Sequence, residues 1–409
     1  MIRKLVPILG ITFIDIVGFS MLIPILPYFV THFGVSAVVV GLLFATFSFC
    51  QLISGPIWGN VSDRVGRKSV LVISQIGATI GWAMLAFSPS IGWVFFARIV
   101  EGVSGGNIGI TQAYVVDIVE AKDRARAFGL IGATFSAGMV FGPVIAGVLF
   151  TRYGFSAPFL AASALQLLTL ILTIVLLPES RQRPEEHEER VGLRDILATF
   201  HNPRVSRVLW ERLAYSLGLY GWFAVIALYL KGQMGFGVAE TTRLFSIFAV
   251  LNVFFSGYLV GKISNRLGDR RMSNIGLVVL LAGFCILPFT HTWFVFLVLM
   301  AVFSFGMALA NAGITALISH AAPDREQGTV LGVSSSLDSL SGILAPPVST
   351  GLLARFGAPF AGVESLALTA IALAIGIAGA ARDPLFAGNV SEPDEVSSEQ
   401  TLVSSEELA

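Results

Sequence analysis

Long apolar runs alternate with short polar punctuation along almost the whole chain. A membrane-spanning helix needs about 20 mostly apolar residues. Cutting at charges, prolines and glycines predicts six such helices over 5–27, 41–59, 69–88, 91–114, 125–150 and 157–177. Six more follow over 206–230, 242–262, 272–289, 293–317, 327–353 and 359–380. Between the sets, Pro178 to Pro203 contains Glu185-Glu186-His187-Glu188-Glu189-Arg190, which cannot span and reads as a solvated linker. After Arg382 the tail is acidic and Ser-rich, too poor in apolar residues to order itself. The predicted divisions are a first half over 1–180, a linker over 181–205, a second half over 206–381 and a tail over 382–409.

Composition agrees: 55% of the residues are hydrophobic and 13% charged, where a soluble domain carries about 25% charge. Mean hydropathy is +0.80. The opening Met1-Ile2-Arg3-Lys4-Leu5 is basic like a leader. The run behind it is too long, contains Asp15 and lacks a small-residue cleavage pattern, so it reads as a retained first helix. Cys50 and Cys285 lie in apolar runs and imply no disulfide framework. Loop lysines and arginines set orientation. They gather on one side, among them Arg64, Arg67, Lys68, Lys122, Arg124, Lys262, Arg270 and Arg271, while the other has Arg152, Lys231, Arg355 and Arg243. Both termini and the linker are therefore expected in the cytoplasm, and the sequon Asn389-Val390-Ser391 falls on the wrong side for glycosylation.

The two halves repeat each other. Gly59-Asn60-Val61-Ser62-Asp63-Arg64-Val65-Gly66-Arg67-Lys68 returns about 200 residues later as Gly261-Lys262-Ile263-Ser264-Asn265-Arg266-Leu267-Gly268-Asp269-Arg270-Arg271. Asn107-Ile108-Gly109-Ile110-Thr111 returns as Asn311-Ala312-Gly313-Ile314-Thr315, Asp123-Arg124 as Asp324-Arg325, and Pro143-Val144 as Pro347-Val348. Six spans per copy give both the same orientation, a parallel repeat about an axis normal to the membrane.

At these residues the chain resembles the major facilitator superfamily, and within it the twelve-helix drug/proton antiporters. The Gly59–Lys68 loop matches the signature between the second and third helices, and Arg98 with Gly102 matches that of the fourth. Gly138, Gly142, Pro143 and Gly147 match the antiporter motif of the fifth helix, with Ala146 in place of one glycine. The likeness to tetracycline/proton antiporters rests on Asp15-Ile16-Val17-Gly18, Pro24-Ile25-Leu26-Pro27, Gln51 and Arg124-Ala125-Arg126-Ala127-Phe128-Gly129, mostly in the first half. Those pumps carry acids in the third and ninth helices. Here Ile76-Gly77-Ala78-Thr79-Ile80-Gly81-Trp82 and Ile275-Gly276-Leu277-Val278-Val279-Leu280 have none, which puts tetracycline as the substrate in doubt.

Asp15 lies mid-helix, where an acid costs about 2.5–3.5 kcal/mol to insert. The resemblance implies a proton carrier; the alternative is a polar residue satisfied by its neighbours. Asp338 lies among four serines in the eleventh helix, either a second proton or cation site or a helix–helix hydrogen bond. Arg98 and Glu101 share a helical face and can pair, either to neutralise each other or, as the resemblance implies, to modulate proton loading. Glu211 and Arg212 are expected to snorkel to the cytoplasmic interface. Asp63, Arg64, Arg67, Lys68 and Asp117 are assigned to gating: the resemblance implies that Asp63 meets the start of the eleventh helix, and Arg67 can reach Asp117. Asn265 in the second copy should weaken its latch. Gly138, Gly142 and Gly147 should let a neighbouring helix, expected to be the eighth, approach closely, and Pro143 removes a backbone donor there.

By analogy with the fold, helices one, four, seven and ten face the cavity. The substrate-binding candidates are Gln51 and Asn311 first, then Phe19, Asn107, Gln112, Tyr114, Tyr215, Tyr220, Trp222 and Asn252. Aromatics and neutral amides suit amphipathic or weakly charged molecules. The five histidines are scattered without metal-ligand spacing, and glycine-rich Gly102-Val103-Ser104-Gly105-Gly106 follows no strand, so no enzyme site or phosphate loop is expected. With no cofactor and no nucleotide domain, the energy source is expected to be a proton gradient. The expected partners are protons, a small-molecule substrate and the bilayer, without nucleic acid, for a monomer in a cell membrane such as a bacterial inner membrane. The reading is proton-coupled efflux of small amphipathic or apolar compounds. Export of a metabolite or lipid-linked sugar is the alternative, and a transport-dead scaffold or receptor the alternative of another class.

Overall fold

With no water to satisfy backbone groups inside a bilayer, an apolar run must close its own hydrogen bonds, and the α-helix does so within one segment. The structure is a computed structural model that describes residues 2–105, 107–120, 123–180, 200–321 and 327–382, and among these it is entirely helical. The expected linker and tail, and Asp324-Arg325, lie almost wholly outside the described residues.

The first half runs α1 (Ile2–His32), α2 (Ala37–Val65), α3 (Arg67–Ala86), α4 (Ile91–Ser104), α5 (Asn107–Ile118), α6 (Arg124–Tyr153) and α7 (Ser156–Leu176). The second runs α8 (Pro203–Met234), α9 (Val238–Phe254), a π-helical stretch (Phe255–Leu259), α10 (Val260–Leu267), α11 (Asp269–Ile286), α12 (Trp293–Ala321), α13 (Gln327–Phe356) and α14 (Val363–Arg382). Among the described residues, ten helices are long and apolar enough to cross a membrane. The broken pair α4–α5 and the Ser-rich α13 take the places of the fourth and eleventh predicted spans.

The duplication reaches into the loops. Glycines with positive φ come in three repeat-related pairs: Gly34 and Gly235, Gly66 and Gly268, Gly154 and Gly357. Each pair ends corresponding helices in the two halves, at a backbone geometry that a Cβ disfavours.

The fourth span departs from the continuous helix expected over 91–114. It breaks after Ser104, where Gly105 turns extended (φ −66°, ψ 145°). A break frees carbonyls that the bilayer cannot satisfy, and side chains of α2 and α3 meet them. Ser54 Oγ donates to the Gly102 carbonyl at 2.9 Å and reaches that of Gly105 at 3.3 Å, and Trp58 Nε1 donates to Val103 at 2.6 Å. Ser74 Oγ lies against the Ser104 carbonyl. The eighth span also deviates, through the π stretch, a form that often marks functional sites.

The halves pack along two seams, α2 against α13 and α6 against α9. At the end opposite the Gly59–Lys68 loop they also touch through polar groups. Tyr28 Oη donates to the Phe236 carbonyl at 3.0 Å and lies 2.6 Å from Thr241 Oγ1, and Lys231 Nζ donates to Thr31 at 3.1 Å. The glycines of α6 divide their work differently from expectation. Gly147 does meet Thr242 of the eighth span, but Gly138 and Gly142 press on α1. A Cβ on Gly142 would sit 2.7 Å from the Val17 carbonyl and 2.9 Å from the Met21 nitrogen.

That contact generates a paired test. Gly142→Ala should lower the thermal midpoint of the purified protein, because overpacking costs about 1–3 kcal/mol. Gly132→Ala, in the same helix with nothing within 4 Å of the added carbon, should leave the midpoint unchanged or raise it, since alanine gains about 1 kcal/mol of helix propensity.

Candidate functional site

The break in the fourth span makes Asn107 the first residue of α5, and Asp15 of α1 meets it there. Asn107 Nδ2 donates to Asp15 Oδ2 at 3.4 Å, while the Asn107 amide oxygen lies against Ser74. The start of a helix carries about half a positive charge, so the carboxylate faces a favourable dipole end as well as an amide. Gln166 and Thr169 of α7 face the same carboxyl, and both are buried.

Arg98 and Glu101 pair on α4 and are both buried. The third helix permits this, because Gly81 leaves room for the Glu101 stem. The Arg98 guanidinium lies over the Phe47 ring at 4.3 Å, and Phe47 neighbours Phe19 at 6.3 Å between centroids. No ion pair joins Arg98 to Asp15; their physical connection runs through Phe47 and Phe19, one turn along α1 from the acid.

The second half builds a different polar centre. Arg212 forks onto Asp338, Nε to Oδ1 at 3.0 Å and Nη2 to Oδ2 at 2.7 Å. Ser216 donates to Asp338 Oδ1 at 2.5 Å, and Arg212 Nη1 donates to Asn311 Oδ1 at 2.7 Å. Asn107 and Asn311 occupy repeat-related positions, yet one holds an acid and the other a base.

Glu211 and Arg212 do not snorkel. Arg212 turns inward to Asp338, and Glu211 is fully buried against Arg270 and Ser273, with Gly376 of α14 close over the pair. Arg270, read from sequence as a loop charge setting topology, is 3% exposed. Charge adjacent to a span predicts an interface residue; only the packing of α8, α11 and α14 reveals a buried pair.

At the loop end Arg67 is a hub, bonded to Asp63 Oδ1 at 2.7 Å, Asp117 Oδ2 at 3.3 Å and Ser62 Oγ at 2.6 Å. Ser180 donates to the same Asp117 oxygen at 2.9 Å. Lys68 Nζ donates to the Ile174 carbonyl at 2.8 Å, Arg64 is exposed, and Glu179, unforeseen from sequence, accepts from the Lys68 amide at 3.3 Å. The expected partner of Asp63, the start of the eleventh helix, adjoins residues 322–326, outside the described residues. The second copy keeps a link with the acid on the other side: Asp269 stands where Arg67 does, 2.9 Å from His320 Nδ1.

The substrate candidates scatter. Gln51 is half-buried beside Gly105, Asn252 is half-buried on α9, and Tyr220 and Asn311 are exposed. Tyr114 is buried and donates to the Pro178 carbonyl at 3.0 Å. Trp222 is packed among Tyr229, Phe284 and Phe303 in the second half's core.

The family model of the Major Facilitator Superfamily matches residues 8–266 and 223–398. The chain is 31% identical over 378 residues to the tetracycline resistance protein, class C, of Escherichia coli, covering 88% of this chain and 92% of that one. It is 29% identical over 346 residues to multidrug resistance protein 2 of Bacillus subtilis (strain 168), covering 83% and 85%. Among solved structures, a bacterial homologue of the human lysosomal transporter Spinster, inward-facing and occupied, superposes with a TM-score of 0.76 at 15% identity. That match covers 95% of this chain and 98% of the other and speaks for the fold alone.

Removing one partner of a buried ion pair costs about 3–5 kcal/mol, whereas replacing both with apolar groups is often neutral. Arg270→Met should therefore lower the thermal midpoint sharply, and the double variant Glu211→Leu/Arg270→Met should recover most of the loss. Equal midpoints for wild type and Arg270→Met would contradict the pairing.

Proposed function

The chain belongs to the major facilitator superfamily, and from that premise we propose that it exports small amphipathic or apolar compounds, drugs among them, in exchange for protons. Asp15 carries the reading. It is an acid within the bilayer, held by Asn107 at the start of a half-helix, with Gln166 and Thr169 of α7 facing the same carboxyl. Such a group carries a proton across if its access to water changes between two states. Substrate leaves outward, and Asp15 returns its proton inward.

The gates follow from the same premise. The Gly59–Lys68 loop lies on the Lys- and Arg-rich side and is cytoplasmic by the charge rule. The Arg67 cluster then steadies the cytoplasmic ends of α2, α3 and α5, and the Tyr28–Thr241 and Lys231–Thr31 contacts are the outer gate. Names of the relatives support drugs as the cargo class, while the absence of an acid within 76–82 and 275–280 of the third and ninth helices keeps tetracycline itself out of the proposal.

Asp15→Asn should insert and keep its thermal midpoint, yet lose proton-driven efflux to background in proteoliposomes with an imposed pH gradient. Full efflux by that variant would overturn the proton role. A drug panel in cells stripped of their own pumps should show resistance that depends on Asp15. A growth phenotype with no drug phenotype would transfer the reading to an endogenous metabolite.

A further inference from the structure

A cavity of about 520 Å³ lies in the seam between α6 and α9, at the end opposite the Gly59–Lys68 loop. Its long walls are apolar, with Val144 and Val148 of α6 facing Ile247 of α9, and its floor is the contact of Gly147 with Thr242. Val144 and Val148 are about half exposed (46% and 50%), so the groove opens sideways, toward the lipid. At its mouth stand Arg152 of α6, Arg243 of α9 and Trp293, which begins α12.

This end is poor in cations. Lys231 is engaged with Thr31 and the Tyr28 ring, and Arg355 lies over Phe356. The remaining two, Arg152 and Arg243, line the same groove, and among the described residues neither has a hydrogen bond or an ion pair. Glu240, one turn before Arg243, is committed to the Gly237 amide at 3.0 Å. Two free guanidiniums above an apolar slot are complementary to a phosphate that carries net negative charge, with no cationic headgroup amine beside it, attached to a hydrocarbon chain. Guanidinium binds phosphate through paired donors, the slot takes apolar methylenes, and Trp marks the headgroup level.

We infer that this groove binds an anionic glycerophospholipid, with its phosphate between Arg152 and Arg243 and an acyl chain along Val144, Val148 and Ile247. The bound headgroup bridges α6 of one half to α9 of the other. It therefore ties together the end at which the halves touch through Tyr28 and Lys231, and anionic lipid favours this arrangement over one parted there.

The test uses the full-length protein in detergent, with retained lipid measured by native mass spectrometry and thermal midpoints measured in parallel. Phosphatidylglycerol should be retained on the order of ten-fold better than phosphatidylcholine, the equivalent of about 1.4 kcal/mol, and should raise the midpoint; inorganic phosphate should not. Arg152→Gln/Arg243→Gln should abolish the preference, and Arg355→Gln, at the same end but outside the groove, should keep it. Val144→Trp fills the slot while leaving both arginines, and should lose the lipid as well. It also decides the matter should the double variant fail to fold. Equal retention of the two lipids, protection by inorganic phosphate alone, or full retention by Val144→Trp would each overturn the inference.

Discussion

The bilayer interior offers no water, so every polar group placed there must find its partner within the chain. The rest of the molecule is built around that constraint. The fourth span can break at Gly105 only because Ser54, Trp58 and Ser74 reach the carbonyls the break releases. The break in turn puts a helix start and Asn107 beside Asp15. Hydroxyls and an indole on α2 and α3 thus fix where an acid on α1 can be tolerated.

The same constraint governs the charges. Among the described residues, the ion pairs Arg98–Glu101, Arg67 with Asp63 and Asp117, Glu211–Arg270 and Arg212–Asp338 each join residues of one half. The described contacts between halves include hydroxyls, carbonyls, Lys231 on Thr31 and the Tyr28 ring, glycines against serine, threonine or proline, and Ala227, Leu228 and Val238 packed into the first half's apolar cluster. Separating a buried ion pair is expensive, whereas parting neutral hydrogen bonds costs roughly 1 kcal/mol each. Parting the halves at the contacts described here would break none of those ion pairs.

The duplicated frame has diverged in polarity. Asn107 serves a carboxylate and Asn311 a guanidinium. Arg67 links to Asp117 in one copy, and Asp269 to His320 in the other. The first fourth-span copy is broken, while the second runs unbroken from Trp293 to Ala321. Repeat-related helices and loop glycines keep the two scaffolds alike, and a few substitutions build one centre on an acid and the other on an acid–base pair.

Helices, halves and the cation-rich face were legible in the sequence because each is written locally. A run of apolar residues, a glycine at a helix end and a cluster of loop arginines act through nearest neighbours or through the bilayer itself. The Arg67–Asp117 link was also within reach, since both residues end helices on one face. Arg212 and Arg270 were misread for the converse reason. A charge next to a span looks the same whether it turns to the surface or inward, and α11, α13 and α14, which decide that, are dozens of residues away. Sequence alone determined that this chain is a duplicated set of membrane helices with an acid buried in the first. Tertiary packing alone decided which charges pair with each other, where the fourth span could afford to break, and that Arg152 and Arg243 line one groove between α6 and α9. Those outcomes depend on contacts between helices, and the energy of such contacts is not written in any one of them.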